Sequence, residues 1–83
     1  MTDHNNQLII ERQINQDINV NIIVNNEDNQ YIVTYTNNFY SNSFRWLFIK
    51  FNDAHDRYSK IINNQNVIID LTQENFIEWI RNQ

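Results

Sequence analysis

Three residue types are missing from this sequence: its 83 residues include no cysteine, no glycine and no proline. Without cysteine there is no disulfide, thiolate metal site or cysteine nucleophile. Without glycine there is no phosphate-binding loop of the nucleotide-binding type, because side chains would block the approach of the phosphate. We therefore predict no cofactor. Turns that need a positive φ must use asparagine, the next most tolerant residue, and the sequence is rich in it.

Positive charge is scarce as well. Six basic residues stand against ten acidic ones, for a net charge of −4 and a pI near 4.8. A protein that neutralises nucleic-acid phosphates needs a basic face, so we predict no direct binding to nucleic acid. Four of the basic residues fall between 45 and 60, but acidic residues interrupt them.

Long apolar runs are absent too. No stretch approaches the roughly 20 apolar residues of a membrane-spanning helix. The first six residues lack the basic and apolar regions of a signal peptide. We expect a protein of the cytoplasm that contacts no membrane, and of the host cytoplasm if a phage or virus encodes it.

The length and apolar content predict one folded domain. Hydrophobic residues make up 41% of the chain and aromatic residues 13%, which is enough for a core. We expect residues 1–6 to be a flexible N-terminus and residues 7–83 to form a single α+β domain.

The first half of the chain predicts three strands joined by short turns. They run from Leu8 to Ile14, from Ile18 to Val24 and from Gln30 to Thr36. Apolar residues recur at every second position, which is typical of a strand with one buried face. Arg12 falls on the more apolar side of the first strand, which predicts a bulge or a sheet edge there. Together these strands predict an antiparallel β-meander.

Residues 43–62 show a helical period. The apolar and aromatic positions at i, i+3, i+4 and i+7 spacing are Phe44, Leu47, Phe48, Phe51, His55, Tyr58 and Ile62. Ser41, Asn42 or Ser43 is then expected to supply the N-cap. In the competing interpretation Phe44 to Phe51 is a fourth strand, because its aromatic content favours β-structure. The length of the periodic run favours the helix.

The last part of the chain predicts a second, shorter helix. Val67 to Asp70 is a short apolar run that fits a fourth strand or a buried connector. Thr72 is expected to cap the helix that follows, with Leu71 and Phe76 packing across the cap. The predicted fold is therefore α+β, with a three-stranded meander packed against one long helix and a short C-terminal helix; in the alternative, Val67 to Asp70 adds a short fourth strand.

The polar residues do not predict catalysis. His55 lies one helical turn before Ser59, but no orienting acid or oxyanion donor accompanies the pair. Asp53 and Asp56 are three residues apart on one helix surface, whereas residues 53 and 55 would point in opposite directions and could not share a metal ion. We predict that the chain is not an enzyme and binds no metal.

Two features favour binding to another protein. Trp46 and Ile49 would lie side by side on the outer face of the long helix, and tryptophan is common at the centre of interfaces. They could equally be buried by a second contact of the helix, or belong to a strand. Acidic residues also recur at exposed positions and could meet a basic surface, or serve only solubility; they are Glu27, Asp28, Asp53, Asp56, Glu74 and Glu78.

These features predict a small acidic protein that binds a basic protein surface. A nucleic-acid enzyme such as a nuclease is a natural target, because its substrate channel is basic. Phage-borne inhibitors of bacterial defence nucleases, as anti-CRISPR proteins are, and immunity proteins against nuclease toxins share these gross properties. In the alternative hypothesis the chain is a structural subunit that forms a homodimer through a free edge strand, either Leu8 to Ile14 or Gln30 to Thr36.

Overall fold

The structure is a computed structural model that describes residues 6–83. In that range the elements are β1 (Asn6–Gln13), β2 (Ile18–Asn25), β3 (Gln30–Asn37), β4 (Asn42–Phe48), α1 (Phe51–Asn63), α2 (Gln65–Ile68) and α3 (Gln73–Arg81). The four strands form one open antiparallel sheet in the order β1-β2-β3-β4. The α+β prediction is confirmed, but the meander has four strands where three were predicted.

The alternation of β2 determines which face of the sheet is buried. Ile18, Val20 and Ile22 are at most 3% exposed, while the asparagines between them lie on the other face. Ile22 pairs with Val33 of β3, which is also fully buried. The strand predicted from Ile18 to Val24 is confirmed, because period-two burial is what the sequence pattern requires.

Three helices cover that buried face. α1 contributes Ala54, Tyr58 and Ile61 to the same core as β2 and β3, and α3 contributes Phe76. The ring of Phe76 stacks on Tyr35, with the two centroids 4.2 Å apart. No helix of residues 6–83 covers the opposite face, which we call the open face.

The long helix predicted over residues 43–62 is wrong in its first half. Residues Asn42–Phe48 form β4, the helix begins at Phe51, and Lys50 occupies the N-cap position without a side-chain cap. Phe44 and Phe48 satisfy a period of two as well as a helical period, and their β-propensity together with pairing to β3 decides the outcome. The competing prediction of a strand is correct up to Phe48. Ser41, Asn42 and Ser43 therefore cap no helix.

Two details of the helical region also differ from the prediction. The buried face of α1 is formed by Ala54, Tyr58 and Ile61, so His55, predicted on the apolar face, is exposed. The run from Val67 to Asp70 is not a strand: its first half ends the short helix α2, whose Ile68 is almost fully buried. The prediction of a buried connector fits this residue. The Thr72 cap is confirmed, since its hydroxyl accepts a hydrogen bond from the backbone N–H of Asn75 at 3.2 Å.

β1 is an edge strand, as the position of Arg12 indicated, but the predicted bulge lies elsewhere. The pairing between β1 and β2 shifts between Leu8 and Ile10, while Arg12 pairs regularly with Val20. β3 lies inside the sheet, so it has no free edge for the dimer proposed through Gln30 to Thr36. Residues 1–5 of the predicted flexible N-terminus lie outside the described range, and Asn6 already belongs to β1.

Candidate protein-binding surface

An apolar row crosses all four strands on the open face. Leu8 lies opposite Ile23, Ile23 opposite Ile32, and Ile32 opposite Leu47. We call these four residues the aliphatic row. Its two ends are exposed, Leu8 at 53% and Leu47 at 61%, whereas Ile32 in the middle is only 7% exposed. Single exposed apolar residues are common on protein surfaces, but a continuous row is a candidate binding surface.

The bulge in β1 places Leu8 in this row. Ile10 pairs with the buried residue Ile22 and so faces the helical side. If Ile9 were an ordinary paired residue and the strand had no bulge, Leu8 would have the same orientation as Ile10, because side chains alternate along a regular strand. The row therefore depends on a feature that periodicity alone does not reveal.

The acidic hairpin tip lies at the end of the sheet nearest to the row. Glu27 and Asp28 are exposed in the turn that joins β2 to β3, the strands that carry Ile23 and Ile32. Asn25 organises this turn: its side-chain oxygen accepts hydrogen bonds from the backbone N–H groups of Glu27, at 3.0 Å, and Asp28, at 3.4 Å. Its amide also donates to the Asp28 carboxylate at 3.3 Å. Asn25 thus fixes the backbone of the turn that carries the two carboxylates, at the end of the sheet nearest to the aliphatic row.

The structure separates Trp46 from Ile49. Both were predicted on the outer face of a helix, which is wrong, because Trp46 is in β4 and Ile49 follows it in the connection to α1. Trp46 faces the helical side, half-buried, with the guanidinium of Arg57 5.1 Å from its ring centroid. Ile49 is 79% exposed, two residues beyond Leu47. Ile49 is thus an exposed apolar residue outside the sheet, whereas the position of Trp46 suits packing.

The remaining acidic candidates lie on the helices, on the opposite side of the sheet. Asp53 and Asp56 are exposed on α1, in a cleft that also contains Arg57 and Lys60. Asp56 forms an ion pair with Lys60 at 3.6 Å. The charges in this cleft are therefore mixed, and its acids do not produce a field of one sign. Glu74 and Glu78 are exposed on α3. The predicted acidic surface is thus divided among separate elements.

His55 and Ser59 do come together. The Oγ of Ser59 and the Nδ1 of His55 are 3.3 Å apart on the exposed surface of α1. Hydrogen bonding between residues four apart is ordinary on a helix, and it supplies no catalytic function by itself. Among the residues described, no group of three or more potential metal ligands occurs.

One surface feature was not singled out in the sequence. Phe39 is 72% exposed in the turn between β3 and β4, and its ring contacts Tyr40 edge-on with centroids 4.9 Å apart. Both line a shallow cleft of about 240 Å³ that also includes Ile69, Asp70 and Asp17. The sequence does contain a signal for this feature, namely two neighbouring aromatic residues between Asn38 and Ser41. Polar turns seldom contain aromatic residues, so the pair stands out.

No family model, curated protein or solved structure matches this chain. Within residues 6–83, no helix combines the length and the apolar character that crossing a bilayer requires. The functional proposal therefore depends on the geometry of the surface itself.

Proposed function

We propose that this chain is a protein-binding domain that places its open face on a basic surface of another protein. The observation that supports this most is the juxtaposition of the aliphatic row with the hairpin carboxylates of Glu27 and Asp28. Apolar area supplies the favourable free energy of association, and neighbouring charges select the partner and accelerate the encounter. The partner chemistry that fits is an apolar patch bordered by arginine or lysine.

The charges of the open face favour a basic partner. The next row of side chains, which pairs in the order Glu11, Asn21, Thr34 and Arg45, has one charge of each sign. The two carboxylates at the tip add negative charge at the end of the sheet nearest to the aliphatic row. The net charge of −4 acts in the same direction.

The finer part of the proposal concerns the target. We place it among nucleic-acid enzymes, because their substrate channels offer extended basic surfaces. The chain would then act in the cytoplasm as an inhibitor, of the kind that phages direct against defence nucleases or that cells direct against nuclease toxins. Occlusion of the channel is expected, because a net charge of −4 is too small to imitate the charge density of a duplex.

Capture from a lysate of the host cell tests the proposal, using matched charge reversals. We expect the wild-type chain to capture a basic protein, and both Leu47→Ser and the double variant Glu27→Lys, Asp28→Lys to lose it. The double variant Glu74→Lys, Glu78→Lys makes the same change of charge on α3 and should retain capture. High salt should weaken binding, because the charge at the interface is exposed.

The opposite pattern would refute the proposed surface. If the substitutions on α3 abolish capture while those on the open face do not, the helical side is the binding surface. The inhibitor hypothesis needs its own test, in which nuclease activity of the captured protein is measured against increasing amounts of the chain. Full activity at saturating complex formation would refute inhibition and leave the binding surface intact.

A further inference from the structure

The outer edge of β1 has no strand partner in the described part of the chain. β1 pairs with β2 on one side, and all eight of its residues are exposed. They include three consecutive apolar residues, Leu8 at 53%, Ile9 at 43% and Ile10 at 37% exposure. An edge of this kind presents backbone donors and acceptors to a further strand. The kind of partner that fits this edge is therefore another extended polypeptide segment.

The two edges of the sheet are not equivalent. On β4, the helix-side residues Phe44, Trp46 and Phe48 are half-buried against the core. On β1, the helix-side residues Ile10 and Arg12 are exposed. Folded proteins commonly protect an edge with proline, with lysine or with a covering element. β1 has neither proline nor lysine; its protective features are the bulge at Ile9 and the charges of Glu11 and Arg12.

We infer that β1 pairs with β1 of a second copy, antiparallel, about a two-fold axis that passes between Ile9 and Ile10. With this axis perpendicular to the sheet, residues that lie opposite each other must face the same side. The register places Leu8 opposite Glu11 of the second copy, and both face the open side. It places Gln7 opposite Arg12 of the second copy, and both face the helical side. All eight residues of the strand are paired.

Other registers fail on charge, on orientation or on length. An axis through Glu11 or through Arg12 places two identical charges directly opposite each other, which is destabilising. An axis through Ile10 opposes Leu8 to Arg12, and these face different sides of the sheet. An axis between Leu8 and Ile9 opposes Gln7 to Ile10 and Asn6 to Glu11, each pair facing one side, but it pairs only residues 6–11 of the strand. At the bulge, the alternation of side chains between the two faces of the sheet shifts by one residue. This shift is why the register with its axis between Ile9 and Ile10 places Leu8 and Glu11, and Gln7 and Arg12, opposite each other on the same face.

The resulting dimer has one continuous sheet of eight strands, with Ile9 and Ile10 of both copies at its centre. Because the axis is perpendicular to the sheet, the two aliphatic rows lie on the same side. The dimer would then present two equivalent binding faces in one direction, which suits a partner with repeated sites. Dimerisation through β1 does not rest on the proposed function, since within residues 6–83 the outer edge of β1 has no strand partner whatever the open face binds.

Light scattering after size exclusion tests the dimer with the full chain, from low micromolar to millimolar concentration. We expect a species of twice the 10.2 kDa chain mass at the higher concentrations. Ile9→Lys should give a monomer with an unchanged circular-dichroism spectrum, because two lysines would meet at the axis. Leu47→Lys makes a similar change on the other edge strand and should leave the dimer intact. A monomer at every concentration, or a dimer lost only with Leu47→Lys, overturns the inference.

The register can be tested by cross-linking, because the natural chain has no cysteine. Equal amounts of Leu8→Cys and Glu11→Cys chains, mixed under oxidised glutathione, should form a mixed disulfide. Each variant alone should cross-link at least tenfold less, since its two cysteines would be three residues out of register, beyond the roughly 7 Å that a disulfide tolerates. Preferential cross-linking of Leu8→Cys with itself would overturn the register.

Discussion

Ile32 and Leu47 lie opposite each other in neighbouring strands of the open face, yet Ile32 is 7% exposed and Leu47 is 61% exposed. The difference arises because β3 lies inside the sheet and β4 at its edge. Strands on both sides cover Ile32, whereas Leu47 has a neighbour on one side only. One row thus combines a residue that stabilises the fold with a residue available to a partner.

Substitution of these two residues should separate stability from binding. Ile32→Ala should lower the free energy of unfolding by about 2–5 kcal/mol, the range for truncating a buried aliphatic side chain. Leu47→Ser should change it by only about 0.5 kcal/mol, as is usual for exposed positions. Urea denaturation followed by circular dichroism measures both. Equal losses for the two variants would contradict the exposure of Leu47.

Trp46 should behave as a packing residue. Its ring lies near Phe44, with centroids 6.2 Å apart, and beneath the guanidinium of Arg57. Trp46→Ala should therefore cost about 2–3 kcal/mol, less than for a fully buried tryptophan, and Trp46→Phe should recover part of it. Trp79 remains as a fluorescent reporter of unfolding. A variant as stable as wild type would restore Trp46 as a candidate contact for a partner.

The contact between Arg57 and Trp46 can be isolated by a double-mutant cycle. Arg57→Ala, Trp46→Ala and the double variant should give a coupling free energy of about 0.5–1 kcal/mol, as expected for a partly exposed cation–π pair. Asp56→Ala changes a neighbouring residue that does not contact the indole in this way, and serves as the control. Its effect should add to that of Trp46→Ala without coupling.

The strands that were predicted correctly are those whose burial follows from local alternation. Ile18, Val20 and Ile22 alternate with asparagine, and no helical pattern competes there. β4 was predicted as helix because Phe44 and Phe48 fit both periods, and only pairing with β3 decides between them. Pairing between strands is a long-range property, so a local pattern does not contain it.

The candidate site was predictable only in part, for the same reason. The acidic tip, Glu27 and Asp28, follows from turn chemistry that is local to Asn25 and Asn29. The aliphatic row requires the sheet order and the bulge at Ile9, which bring Leu8 and Leu47 onto one face from opposite ends of the meander. Leu47 was not predicted to be part of a binding surface, and Leu8 was predicted only as part of a free edge strand.

Alkaline pH should destabilise the protein through Tyr35. Burial raises the pKa of Tyr35 above its ordinary value of 10.0, and the hydrogen bond from Asn37 offsets part of that effect. Below pH 10.0 the phenol is protonated in both states, so its contribution to stability is complete. Above it the unfolded state loses the proton first, and the free energy of unfolding falls as the pH rises towards the folded pKa.

Tyr35→Phe should make the free energy of unfolding less sensitive to pH between 9 and 11, as measured by urea titrations at a series of pH values in that range. Burial also raises the pKa of Tyr58, with Arg12 opposing the shift, so Tyr58→Phe provides a second variant in the same direction. Equal pH dependence in the wild type and in Tyr35→Phe would contradict the burial of this phenol.

Ser41 should be a site of stored strain, because it adopts a φ of 57°. The left-handed region costs a non-glycine residue about 1–2 kcal/mol, and asparagine tolerates it better than serine. Ser41→Gly should therefore raise the free energy of unfolding by about 0.5–1 kcal/mol, despite the greater flexibility of glycine in the unfolded chain. Asn29, with a φ of 54°, should gain less from the same substitution.

Ser43→Gly, the control, places glycine inside β4 and should instead destabilise the protein by about 0.5–1 kcal/mol. Thermal unfolding of the three variants measures this order. If Ser41→Gly lowers the free energy of unfolding as much as Ser43→Gly does, the turn is not strained. Serine at position 41 would then cost the fold no stability relative to glycine.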